Sequence, residues 1–372
     1  MKLQNYIYGL RVILTIFLVV VINNSVAENN AMKPLMADNF TIGNTTVSPG
    51  KTYRGMLKVP GGNDKVTSFI PITVHHGINK GPVLSLIAGI HGSEYSPIIA
   101  MQAMAKTVDP SQLNGTLVIV HIANIPAFTG RTVYFSPNDL KNLNRSFPGS
   151  INGTITDRIA DVLTNEVIAR SDYLVDIHAG DANESLRPSY SAYYAEAGGD
   201  NVVKASKRLA IAFGLDTIVQ FAGSYKSVNE AIYTSAQAVT LGVPAIDIES
   251  GELGIVDNKY IDPIIVGSLN IMRELDMIIG QPKLPTNPLL INSRTRIYSN
   301  HDGIFYADPK ISAGDYITAG TSLGTITDYH GNTLENIRAP ASGVLLILFG
   351  TPPVNKGDNI VVIGSITKST DN

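Results

Sequence analysis

From Thr52 onward the chain alternates apolar and polar positions, in TYRGMLKV and then SFIPITVHH, the period-two signature of half-exposed strands. Pro71 lies within the second run and predicts an edge strand, because proline lacks the donor a central ladder needs. Beyond it come four short apolar runs, VLSLIAGI, TLVIVHIAN, YLVDIHAG and PAIDIES. Between and after them stand segments of helical periodicity: PIIAMQAMAKTV, ITDRIADVLTNEVIA, NVVKASKRLAIAF, NEAIYTSAQAV and DPIIVGSLNIMRELDMII. Strands alternating with helices predict an α/β fold with a mixed central sheet flanked by helices.

Two stretches interrupt this rhythm. Residues 125–150 form a long loop rich in Pro, Asn and Gly, and loops of that length without structure of their own are usually functional. QPKLPTNP, residues 281–288, carries three prolines and reads as a linker. After it the pattern is short β segments with turn signals: DG, AGD, HGN, APASG and KGDN. The chain therefore divides into an α/β domain over 40–283 and an all-β region over 289–372, either a separate small domain or an appendage packed on the first.

Composition narrows the classes. With 44% hydrophobic and 16% charged residues, the chain is globular rather than disordered. Its net charge of -3 and lack of a long Lys/Arg run argue against nucleic acid as a main partner. At the N-terminus, Lys2 and Arg11 precede the apolar VILTIFLVVVI, and Ser25-Val26-Ala27 follows. This reads as a signal peptide over 1–27, removed on export to the periplasm or outside, with no stable membrane anchor afterwards. The competing reading is an uncleaved anchor, but the run falls short of the roughly 20 residues a spanning helix needs. There are no cysteines, so a metal must be held by His, Asp or Glu. The Asn-x-Ser/Thr acceptor patterns at Asn39, Asn44, Asn114, Asn144, Asn152 and Asn183 are read as unused sites in a bacterial envelope protein.

The chemistry gathers at strand ends. AGIHGSEYSP places His91 and Glu94 three apart just after an apolar run, at the sheet edge where α/β folds bind ligands. Gly89 and Gly92 allow unusual backbone angles there. A catalytic zinc needs three protein ligands and an open position. YLVDIHAG offers His178 as the third, with Asp176 two residues before it on the same strand face to orient it. His121 reads as a core or supporting histidine, and the adjacent His75 and His76 as structural or surface residues. His91, Glu94 and His178 make a His₂Glu set for one zinc per chain, which would polarise a carbonyl and lower the pKa of water. Glu249, where PAIDIES runs into Gly251, is the candidate general base. In the long loop, Asn144 and Arg145 suit a substrate carboxylate, and Arg131 suits an oxyanion or a loop-pinning salt bridge.

Together AGIHGSEYSP, FTGRTVYFSPNDLKNLNRSFPG, LVDIHAG and IDIESGELG, in that order, resemble the succinylglutamate desuccinylase/aspartoacylase family, whose catalytic domain is similar to zinc carboxypeptidases. The resemblance implies zinc on His91, Glu94 and His178, Glu249 as general base, Asn144 and Arg145 on a substrate carboxylate, and Arg131 as the oxyanion arginine. Where relatives often have two glycines after the catalytic glutamate, this chain has Gly251-Glu252, which could alter substrate preference. The end region, DGIFYADPKISAGDYITAGTSLGTITD then IRAPASGVLLIL, resembles the barrel-sandwich fold of biotinyl and lipoyl carriers. Its YHGN turn lacks the carrier lysine, which argues against a carrier role; the family resemblance implies instead that this region covers the active-site mouth and helps limit substrate size.

The expected activity is zinc-dependent hydrolysis of the amide or ester bond of an N-acyl amino acid or similar small acyl compound bearing a carboxylate. Two alternatives stand beside it: an exported zinc carboxypeptidase acting on peptides or cell-wall peptides, and a non-catalytic binding protein on a hydrolase scaffold. The sequence does not give the oligomeric state.

Overall fold

A computed structural model describes residues 36–63, 65–186 and 189–366. The segment read as a signal peptide lies outside the described residues. Among those described, no helix is long and apolar enough to cross a membrane.

A thirteen-stranded mixed sheet organises the molecule. From one edge its strands run Lys51–Val59, Ser68–His76, Asn114–Val120, Asn79–Ala88, Tyr173–His178, Ala245–Ser250, Ser189–Tyr194, Thr217–Phe221 and Leu289–Tyr298. The three strands Asn79–Ala88, Tyr173–His178 and Ala245–Ser250 are parallel neighbours, so their carboxyl ends open on one rim. Apolar clusters cover both faces. On one, Ile159 and Leu163 pack with Ile87, Leu174 and Ala245. On the other, Met101, Met104, Ile264 and Ile271 pack with Leu86, Val175, Ile177, Ile246 and Ile248. The alternation in DIH and DIES thereby sends each isoleucine to the second face and Asp176, His178, Asp247 and Glu249 to the first.

The fold class expected from the pattern is the one observed, with differences of detail. Ser68–His76 is an internal strand; Lys51–Val59 takes the edge. Pro71 is tolerated because its carbonyl accepts from the His121 N–H, just beyond the paired Ile72 and Val120. The N–H and C=O of a strand residue face the same neighbour, so only a terminal ladder bond is forgone. NEAIYTSAQAV becomes helical only at Thr234–Thr240.

The long loop is not structureless. It begins with a helix, Ile125–Gly130, whose N-cap Asn124 accepts from the Ala127 N–H. A short 3₁₀ turn, Leu143–Arg145, follows. Asp139 pins the intervening chain to the helix Ile155–Val162, accepting from Thr156 N and Thr156 Oγ1 at 2.9 and 2.8 Å. Thr156 is fully buried, so Asp139→Ala strands both donors. It is expected to cost about 1–3 kcal/mol, seen as a lower urea midpoint.

The expected linker does not separate two bodies. Leu289–Tyr298 pairs in parallel with Thr217–Phe221, and Glu184–Leu186 pairs antiparallel with Gly343–Phe349. The carboxyl-terminal strands thus extend the central sheet, and a further four-stranded sheet packs there. A small apolar core of its own, with Leu323, Ile326, Leu345 and Ile363, supports this region.

Candidate active site

The Asn79–Ala88 strand ends in a turn at Gly89, whose φ of +70° is the left-handed conformation that glycine adopts without a Cβ clash. Gly92 serves differently: a side chain there would collide with the Ala127 carbonyl. Between them the turn presents His91, and Glu94 stands at the N-cap of the helix Tyr95–Thr107. Glu94 makes no capping bond; its carboxylate faces the histidines instead. Glu94 Oε1 lies 2.8 Å from His91 Nδ1 and 3.1 Å from His178 Nδ1. The ligand atoms of His91, Glu94 and His178, all buried, lie within 4.8 Å of one another.

The opposite ring nitrogens fix the histidine tautomers. His178 Nε2 is 3.0 Å from Asp176 Oδ2, and His91 Nε2 is 3.2 Å from Asn142 Oδ1. Both neighbours are oxygen atoms that can accept from Nε2, which leaves each Nδ1, facing Glu94, as the nitrogen that can bind a metal once its proton is displaced. Two imidazole nitrogens and a carboxylate within 4.8 Å of one another are a donor set that fits a divalent cation. The electrostatics agree. Burial opposes a charge on His91, yet Asp181 and Glu94 outweigh it and lift its pKa to about 10. Burial likewise opposes ionised Glu94, but His178 and His91 hold it at about 2. The cluster favours positive charge at its centre.

Glu249 is the cross-strand partner of His178. Its Oε2 is buried with no hydrogen-bond partner. Burial raises its pKa well above the usual carboxylate value, with His178 opposing and Glu94 adding to the rise. Asn144 accepts from Thr234 N and Thr234 Oγ1 through its Oδ1, which leaves its amide nitrogen beside His178, at 3.5 Å. Arg145 donates to the Asn144 carbonyl and lies 4.4 Å from the centre of the Tyr233 ring. His91, Glu94, His178, Glu249, Asn144 and Arg145 all line one cavity of about 470 Å³.

Residues 80–275 match the model of the succinylglutamate desuccinylase/aspartoacylase catalytic domain. The chain belongs to this family. A curated relative, the N-alpha-acetyl-L-2,4-diaminobutyric acid deacetylase of Halomonas elongata, is 28% identical over 327 residues, spanning 85% of this chain and 92% of that one. Among solved structures, a succinylglutamate desuccinylase from Silicibacter sp. TM1040 is 25% identical, with a TM-score of 0.76 over 90% of this chain and 100% of that one. The product-bound ectoine utilization protein EutE (DoeB) from Ruegeria pomeroyi shares the fold, with 24% identity and a TM-score of 0.76 over 90% and 97% of the two chains.

In this member of the succinylglutamate desuccinylase/aspartoacylase family, one candidate residue stands apart. Arg131 is exposed, at the C-cap of the helix Ile125–Gly130 with a φ of +55°, and does not line the cavity. Glu252 also faces elsewhere: it accepts from Ser185 Oγ at 2.8 Å and Tyr260 OH at 2.5 Å, tying the loop after Glu249 to its surroundings rather than facing substrate. His121 bonds Thr73, His75 bonds Thr52 and His76 bonds Thr116, each as a structural group.

Several cavity residues carried no strong sequence signal. Asp181 accepts from Ser93 Oγ and lies 3.3 Å from His91 Nδ1. The Tyr134 hydroxyl is 3.0 Å from both Asn183 Oδ1 and Glu184 Oε1, and its ring meets His91 edge-on. Burial, then Asp181, pushes the Glu184 carboxyl up to about 7. Arg294, Arg296 and Tyr298 come from the Leu289–Tyr298 strand; the alternation in SRTRIY was the available clue to the two arginines sharing a face.

Proposed function

We propose that this protein is an exported, zinc-dependent deacylase that cleaves the amide or ester bond of an N-acyl amino acid or a similar small acyl compound. The observation that carries the reading is the convergence of His91 Nδ1, His178 Nδ1 and the Glu94 carboxylate, with Glu249 one strand away in register. The family's name and the deacetylase activity named for the Halomonas elongata relative support it.

His91, Glu94 and His178 would hold the ion. When bound, zinc supplies Lewis-acid activation of water and of the substrate carbonyl. Glu249, whose Oε2 lacks a partner, takes the proton from the attacking water as its carboxylate and passes it to the leaving group. Asn144 and Arg145 grip a substrate carboxylate and set the scissile bond against Glu249. Asp176 holds the His178 ring in its ligand tautomer. The carboxyl-terminal strands wall the cavity with Arg296, Tyr298, Ile347 and Asn359, which favours a small acyl compound over a polypeptide.

The test is metal content of the purified protein together with hydrolysis of a panel of N-acyl amino acids and short peptides. One zinc per chain with turnover of N-acyl amino acids is expected. Turnover of peptides alone would replace this reading with a carboxypeptidase, and no metal uptake with no turnover would replace it with a binding protein. A separate outcome concerns protons. In the metal-free protein the His91 imidazole holds its proton up to a pH of about 10, and a metal must displace it. Adding zinc to weakly buffered apo-protein at neutral pH should therefore release acid, and affinity should rise with pH; a pH-stat titration reads both.

A further inference from the structure

The carboxylates of the cavity are engaged by residues other than its arginines. Asp181 is engaged by Ser93 and His91, Glu184 by Tyr134, and Asp247 Oδ1 by Ser235. The Arg294 guanidinium, by contrast, has no hydrogen bond or ion pair to a side chain among the described residues, although its backbone sits in the ladder opposite Gly364. Its guanidinium rests on the Phe221 ring, with Cζ 3.9 Å from the centroid, and lines the same cavity. Stacking fixes the plane of the guanidinium and leaves its N–H edge free. Asp247, in the same cavity, acts on Arg294 through charge and not through a hydrogen bond, and guanidinium N–H groups shielded from water are costly unless a ligand supplies acceptors.

Its place in the sheet says which part of a ligand it meets. Two strands, Ser189–Tyr194 and Thr217–Phe221, separate Leu289–Tyr298 from the strand of Glu249. At about 4.8 Å per strand, the two backbones lie roughly 14 Å apart. A long arginine side chain spans part of that gap, and a ligand of several bonds fills the rest. Arg145 lies elsewhere on the wall, on Tyr233.

We propose that Arg294 determines the specificity of this cavity by binding a second carboxylate, at the end of the substrate remote from the scissile bond. The word substrate rests on the deacylase reading above; the binding rests on the cavity alone. A planar fork on an aromatic ring matches a carboxylate edge in two parallel bonds, and the Leu289–Tyr298 strand that carries it lies outside the residues of the family match.

The test uses the metal-loaded protein and charged and neutral partners of near-equal shape. One pair is N-acetyl-L-glutamate and N-acetyl-L-glutamine; the other is N-succinyl-L-alanine and N-butyryl-L-alanine. In the wild type, kcat/KM should favour the charged member of at least one pair by about tenfold or more. In Arg294→Ala that ratio should fall toward one, and Arg294→Lys should restore part of it. Calorimetry of glutarate against butyrate gives the same comparison without turnover. A wild-type ratio near one in both pairs and in calorimetry overturns the proposal, as does a ratio that Arg294→Ala leaves unchanged. Glutarate preference that depends on Arg294, in a protein that hydrolyses no amide, upholds this inference and removes the deacylase reading. Hydrolysis without any charge preference does the reverse.

Discussion

Glu249→Ala is expected to lower kcat by about 10²–10⁴-fold, the range of a general base, while the protein still binds one metal per chain. The reasoning is positional. Glu249 is no member of the convergent ligand set, yet it stands directly across from His178 in the parallel ladder. Removing its carboxylate leaves His91, Glu94 and His178 in place and takes away the proton acceptor. The fall should appear in kcat more than in KM, because the lost interaction is made in the transition state. Metal content by atomic absorption and steady-state kinetics on the same preparation check it. Full turnover in the alanine variant would move the base to another cavity carboxylate, of which Glu184, with its pKa of about 7, is the nearest in character.

His178→Ala is expected to lose metal and turnover together. His178 Nδ1 faces both oxygens of Glu94 at 3.1 Å, and its other nitrogen is held by Asp176. With the ring gone, two ligands remain: Glu94 keeps only His91, and Asp176, fully buried, is left without its His178 partner, at a cost to stability. Asp176→Asn is the milder companion: it keeps the ligand but loosens the tautomer, and a supporting group of this kind typically costs 10–100-fold in metal affinity. Equilibrium dialysis against a zinc indicator separates the two variants.

How much of this was legible in the sequence follows from local geometry. The strand ends were readable because DIH and DIES alternate with period two, which forces Asp176, His178, Asp247 and Glu249 onto one face wherever the strands pair. The turn holding His91 and Glu94 was readable because its spacing is short and the apolar run before it is continuous. The exposed position of Arg131 was not legible, because it follows a left-handed cap after a six-residue helix that the loop's composition does not reveal. Arg294 and Arg296 were passed over because proximity across some 200 residues of chain is a property of strand order rather than of spacing. Pro71 misled for a related reason: which neighbour goes without its donor is decided by register.

The continuity of the sheet across residues 281–288 separates two kinds of inheritance. The groups that would break a bond all lie before Gly251, whereas Arg294, Arg296 and Tyr298 reach the same cavity from after the prolines. A change in the second stretch alters what is admitted while leaving the cleaving apparatus untouched. Exchanging the carboxyl-terminal segment between members of the family is thus a route to new preferences, provided that the graft keeps the parallel register of Thr217 with Leu289.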